Sequence, residues 1–584
     1  VSPGKRRRQR RADEARADAA PDEDLPDTPT TPEELRRRRA EAADRPADEE
    51  STERPMISEG VPSSADDDED PFLVARRTAK PSRPGLEWRR LVPLAVVVGL
   101  LVGGLVLDDR VGPPAPVGLD AATDDGVLQP VAAPASALRS TWYCAGGTAE
   151  ADGAAAHRVV VLNASEDDLT GTVTVYPGQV HPLADGAAAL PEPAEVPIEV
   201  GAHSQESVDL GEVIDAPYAA ALVEMDGGEV VVEHEVSGPT GRDAGPCSSA
   251  ASGTWYFADG TTIQGAQETL AIFNPFPDDA VVDITFATDD GRREPEDYDG
   301  LVVPSGQVVA ADVTSTVTVR EHVSATVTAR TGRVVADRIQ SFDGTNGAEG
   351  LTVTLGAPEP TFATAWSAGV IGGGVSERYT IYNPTDTRAE VSLEIQPEDE
   401  SITIEPFELS VSPRSFSVVD DQQLRERLGE ETIAHGTVLR TRNLVPVVAE
   451  RRTGGAPDSS RPGVDLTLGV PRLSTEVVVV TAAQDASIDD FISVFNPSDA
   501  GITFTIEAFT DDGLEQVGQE TSVEALQRTT ISLSEVGERG VPVIVRLSAP
   551  GVVERTTTMP SDGDSSSAAA VALAGTLAEI PPPS

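Results

Sequence analysis

Lysine is almost missing from this 584-residue chain, with only Lys5 and Lys80 present. Everything beyond residue 80 takes its positive charge from arginine, so Lys-dependent internal isopeptide crosslinks are excluded there. Aromatic residues make up only 4% of the chain, and any core must be built mainly from Val, Ile, Leu and Ala. Six histidines, at 157, 181, 203, 234, 322 and 435, recur at no fixed interval. H-E-x-x-H, G-x-S-x-G, a phosphate-binding Gly loop with Lys and a dinucleotide fingerprint are all lacking. "VIGGGV" (370–375) is Gly-rich but lacks both the helix and the Lys. These absences argue against an enzyme and call for no cofactor and no metal. The numerous carboxylates leave a carbohydrate-active enzyme as a remote alternative.

Positive charge is scarce in a second sense. Residues 1–90 carry 19 Lys and Arg against 22 Asp and Glu, whereas the remainder carries 25 against 75. A field of that sign repels phosphate backbones, so the larger part is not expected to bind nucleic acid.

Long apolar runs are also few, and one stands out. "LVPLAVVVGLLVGGLVL" (91–107) carries no charge. As a helix it spans about 26 Å, the short end of what a bilayer core requires. Trp88, Arg89 and Arg90 precede it, and Asp108 and Asp109 follow. The positive-inside rule then places the N-terminus in the cytoplasm and residues 108–584 outside. A buried core helix or an unusually long cleaved leader would be the competing explanations. The blocks of charge and Pro in residues 1–90 predict a disordered cytoplasmic tail, and 108–138 reads as a flexible linker.

Beyond the linker the chain repeats itself. Alternating apolar runs stop at Asn163, Asn274, Asn383 and Asn496, which are 111, 109 and 113 residues apart. The last three precede Pro275, Pro384 and Pro497. A residue before Pro is driven to extended conformations, and Asn bonds back to local backbone, so the motif closes one strand and fixes the reversal into the next. Trp142, Trp255 and Trp366 open the first three repeats, and hairpins such as "SATVTARTGRVVADRIQ" come later in each. A polar stretch like "DQQLRERLGEE" has room for one or two helical turns. Six to eight short strands per period predict an all-β chain of four tandem immunoglobulin-like β-sandwiches, at 139–249, 250–358, 359–474 and 475–581. A four-bladed propeller would need only four strands per period and a shorter repeat.

"TWYFADGTT", "LAIFNPFPDDAVVDITFATDDG" and "GPCSSA" resemble an uncharacterised actinobacterial family of membrane-anchored envelope proteins, a family of unknown function. The resemblance covers roughly residues 140 to 580 and implies no activity and no site residues.

Only two cysteines occur, Cys144 and Cys247, at the opening and close of the first repeat. Outside the membrane a disulfide is the simplest expectation, with free thiols or a metal pair as alternatives. An acid–base pair also recurs after each hairpin turn: Glu233-His234, Asp337-Arg338, Glu450-Arg451 and Glu554-Arg555. Neighbours on a strand face opposite ways, so the pairs suggest either a ladder of binding sites or structural polar contacts. "ATDDG" (287–291) and "FTDDG" (509–513) read as Asp-Gly turns, because they lack the ligand spacing of a calcium loop. The expected whole is a non-enzymatic, single-pass membrane protein with an acidic β-sandwich rod, a cell-envelope scaffold or a binder of wall polymer or an exported protein. A transmembrane signalling or assembly factor, with the tail as effector, is the alternative.

Overall fold

The computed structural model describes residues 129–182, 189–399, 401–429, 431–481, 488–510, 513–559 and 563–582. The apolar segment 91–107, its flanks Trp88, Arg89, Arg90, Asp108 and Asp109, the tail and most of the linker lie outside these. Among the described residues no helix is long and apolar enough to cross a membrane.

The third repeat shows the plan. One sheet runs Ala363–Ile371, Ile433–Thr441, Ala389–Pro397, Phe407–Val411; the other runs Ser415–Val419, Val375–Asn383, Val448–Gly455, Gly463–Leu468. All neighbours are antiparallel. Period-two alternation turns Val391, Leu393 and Ile395 inward from one sheet to meet Tyr379 and Ile381 from the other, with Trp366 beside them. The polar stretch forms the helix Asp421–Leu428, started by a capping box between Asp420 and Gln423, and Leu424 and Leu428 close the end of the core.

The other repeats vary this plan. In the fourth, the sixth and seventh strands fuse into one 17-residue strand, Val543–Met559. Its first half pairs with Arg472–Val479 and Ile502–Thr510, and its second half with Asp489–Phe495 and Asp564–Ala569. Strand Arg472–Val479 crosses the expected boundary at 474/475, which therefore belongs a few residues earlier.

The repeats are not independent beads. Each ends in a strand at the edge of its second sheet: Gly241–Pro246, Glu349–Leu355, Gly463–Leu468 and Asp564–Ala569. These four edges meet in a cycle. Asp243 Oδ2 accepts from Val353 N at 2.8 Å, and Thr354 Oγ1 donates to Leu466 O at 3.3 Å. Asp465 Oδ1 accepts from Ser567 N at 3.0 Å, and Asp564 Oδ2 accepts from Arg242 N at 2.7 Å, returning to the first repeat. The chain thus closes on itself as a ring in place of the expected rod. The edge strands form no ladder with one another; side chains of each bond single backbone groups of the next. A propeller shares this feature, four four-stranded sheets around a centre, although each repeat here carries a second sheet as well.

Two further links cross repeat boundaries. Strand Gln307–Asp312 of the second repeat pairs in parallel with Leu169–His181 of the first, joining their sheets. Val131 and Ala132, just before the first repeat, pair in parallel with Ala572 and Leu573 near the end of the fourth. The apolar cores merge accordingly: Val478, Val480, Phe509 and Ile544 pack in one cluster with Val159, Val161 and Leu210.

Candidate functional site

The four Asn side chains are fully buried. Asn383 Nδ2 donates to Thr387 O at 2.8 Å and Val411 O at 3.1 Å, while its Oδ1 accepts from Thr385 N at 3.0 Å. Asn163 bonds Asp167 O, Val200 O and Ser165 N; Asn274 bonds Asp278 O, Val303 O and Phe276 N. Asn496 repeats the set with Ala500 O, Val523 O and Ser498 N. The Asn does more than turn the chain. It ties the end of the second strand to a strand in the opposite sheet. Pro275, Pro384 and Pro497 sit inside this loop with no N–H to satisfy; in the first repeat Ala164 stands there, and its N–H donates to Glu229 O.

Cys144 and Cys247 form a disulfide across 103 residues. It joins the first strand of the first repeat to the end of that repeat's closing strand.

The acid–base pairs meet across the junctions between repeats, and three of the four form bonds there. Glu450 Oε2 accepts from Arg338 Nη1 at 2.8 Å, and Glu554 Oε1 accepts from Arg451 Nη2 at 3.1 Å. Glu233 Oε2 accepts from Arg555 Nη1 at 2.7 Å. At the remaining junction His234 Nε2 lies 3.8 Å from Asp337 Oδ2. Each acid reaches back to the base of the preceding repeat, and each base reaches forward to the next acid. Opposite faces of one strand thus serve opposite neighbours. The acids also hold the opening strand of the preceding repeat: Asp337 accepts from Ala145 N, Glu450 from Asp259 N, and Glu554 from Ser367 N and Ala368 N.

A second polar position, six residues before each Asn, escaped the sequence reading because its identity changes: His157, Glu268, Glu377 and Asp490. All four are buried. His157 Nδ1 donates to Ala219 O at 2.9 Å, which leaves Nε2 to accept from His234 Nδ1 at 3.1 Å. Glu377 pairs with His435 at 3.1 Å. Burial shapes the protonation here. It pushes His157 down to about 4 and His234 well below its usual range, and lifts Asp337 to about 7. Burial also raises Glu268 to about 8, although Arg338 opposes it. Burial works against ionisation of Asp259 too, but Arg378 and Arg452 beside it hold that carboxyl well below its ordinary value.

The remaining candidates are occupied by the fold. Asp289 of "ATDDG" accepts from Glu321 N, His322 N and His322 Nδ1, and Asp290 pairs with Arg320 at 3.0 Å. In "FTDDG", residues 511 and 512 lie outside the described set. Among the described residues no three His, Cys, Asp or Glu side chains converge as a metal ion would require. On the axis a cavity of about 130 Å³ is lined by all four repeats, with Pro246, Leu355, Leu468 and Ala569 on the closing strands and Pro130 at the chain's entry.

A family described as Family of unknown function (DUF5719) matches residues 227–452. The match takes in three of the four acid–base pairs and is narrower than the stretch over which the motifs resemble an envelope family. No curated protein matches the chain.

Proposed function

We propose that this chain is a non-enzymatic, single-pass membrane protein whose residues 108–584 form an extracytoplasmic, acidic scaffold or binding module. Its partner would be a wall polymer or another exported protein. One observation carries the reading: the ionisable side chains that recur in every repeat are buried at junctions, where three pairs bond across them and Asp337 holds Ala145 N at the fourth. Chemistry repeated in this way builds a platform. The Cys144–Cys247 disulfide favours an oxidising compartment, in keeping with residues 108–584 lying outside. The repeats are read as immunoglobulin-like. In the third, the second strand pairs with the fifth and the third with the sixth across two facing sheets, as B–E and C–F do in that sandwich.

The scarcity of lysine supplies the test of topology. A membrane-impermeant amine reagent applied to intact cells should leave Lys5 and Lys80 unlabelled, whereas external protease should digest the repeats. Labelling of Lys5 or Lys80 on intact cells would reverse the orientation. Deleting residues 1–80 separates the scaffold from the signalling alternative, since a scaffold keeps its binding without them.

A further inference from the structure

Three of the four junctions join consecutive repeats along the chain, and the junction between the fourth and first repeats is the exception. It also holds open space. A chamber of about 180 Å³ lies there, lined by residues of both repeats, and a second of about 130 Å³ shares Arg158 and Glu235 with it. Arg158 Nε bonds Asp209 Oδ1 at 2.7 Å, and Arg158 Nη1 lies 3.7 Å from Glu235 Oε2, both within its own repeat.

The junction between the second and third repeats shows what fills this place elsewhere. Arg378 stands five residues before Asn383, as Arg158 stands before Asn163; Arg452 follows Glu450 by two, as Glu235 follows Glu233. Between Arg378 and Arg452 sits Asp259 of the preceding repeat, at 2.6 and 3.4 Å. Among the described residues, none of the fourth repeat takes that position beside Arg158.

Polar atoms at the seam lack protein partners. Asp243 Oδ1 and Arg555 Nε, on residues lining the larger chamber, are buried and make no hydrogen bond. Thr481 Oγ1 and Gln205 Oε1, on residues lining the smaller one, are in the same condition. Asp243, Thr481 and Arg555 are each more than nine-tenths buried. Groups so placed cost free energy unless something bonds them. The requirement is mixed: Gln205 offers an acceptor, Arg555 a donor, and Thr481 either, as does the Asp243 carboxyl, which burial raises well above its ordinary value. A hydroxyl, which donates and accepts at once, satisfies both kinds. Of the arginines lining the larger chamber, Arg158 bonds Asp209 and Arg555 bonds Glu233, so these charges are met within the protein.

We infer that this seam binds a neutral polyhydroxylated ligand, a saccharide unit, between the first and fourth repeats. The inference rests on the reading of the chain as a binding module and names the ligand class and the place. A ligand touching both repeats binds only the closed ring and therefore stabilises it.

The full chain, purified in a sugar-free detergent, is tested by saturation-transfer NMR and thermal melting with D-glucose, D-galactose, D-mannose and N-acetylglucosamine at millimolar concentration. The expected result is transfer to at least one sugar, with a rise in melting temperature for that sugar. Glu235→Gln, and independently Thr481→Val, should weaken binding about tenfold or more. Transfer from none of the four, transfer unchanged in both variants, or binding without a rise in melting temperature would overturn the inference. The labelling of Lys5 and Lys80 is read separately, so loss of sugar binding and a reversed topology cannot be mistaken for each other.

Discussion

Arg555 and Glu233 stand 322 residues apart in the chain, yet the Arg555 guanidinium donates to the Glu233 carboxylate at 2.7 Å. Both side chains are buried, and the pair fastens the ends of the ring. Removing one partner strands the other charge in the interior, a loss of about 3–5 kcal/mol. Arg555→Met alone should therefore lower stability strongly, while adding Glu233→Leu should restore much of it. Urea unfolding of the wild type, both single variants and the double variant measures the coupling. Strictly additive losses would mean the pair does not act as a unit.

The buried Asn is expected to be worth more than its turn. Asn383→Ala abandons the carbonyls of Thr387 and Val411 and the N–H of Thr385. Each buried group left unpaired costs about 1–3 kcal/mol. Hydrogen exchange should rise at 385–387 and at the facing strand Phe407–Val411, with a lower urea midpoint. Exchange confined to 385–387 would reduce the role of Asn383 to the local turn.

Reduction of Cys144–Cys247 opens a constraint spanning 103 residues. The chain-entropy account puts this at up to about 4–5 kcal/mol. Cys144→Ser with Cys247→Ser should melt at a lower temperature than the wild type, and a reductant should shift only the wild type. Equal sensitivity to reductant in both proteins would show that another feature responds.

The junction of the first and second repeats differs from the others in acid–base character. Folded His157 resists protonation until about pH 4, whereas unfolded His binds a proton near 6.5. Its stabilising contribution is complete above 6.5 and is lost as pH falls to 4, and His234 is displaced in the same direction. Asp337 runs oppositely: its contribution is complete below 3.8 and disappears as pH rises to about 7. His157→Gln should lose less stability than the wild type between about pH 7 and about pH 4.5, the difference being on the order of 3 kcal/mol. Identical losses on acidification would remove His157 from this role.

Much of this architecture is legible in the amino-acid order, for local reasons. Alternation in "AEVSLEIQP" gives the strand Ala389–Pro397, "DQQLRERL" carries its own capping box, and the cysteines mark the limits of one repeat. Ring closure is not legible, since Glu450 and Arg451 are adjacent but bond partners more than a hundred residues away in opposite directions. Nothing local says which repeat a strand face will meet. The rod expected from tandem repeats fails for that reason. The position of His157, Glu268, Glu377 and Asp490 stayed hidden because only polarity, and not residue type, is kept. The seam chambers depend on how the first and fourth repeats meet beside Arg158, which only the assembled junction reveals.

The short parallel pairing of Val131–Ala132 with Ala572–Leu573 brings the two ends of the described chain to one point on the circle. No quadrant of the cycle is structurally the beginning. New termini opened between the second and third repeats, with residues 582 and 129 joined, should yield the same closed object. A tether pulled from residue 129 would load this clasp in shear before it disturbed any sandwich, so force applied at that end of the described chain enters through four residues.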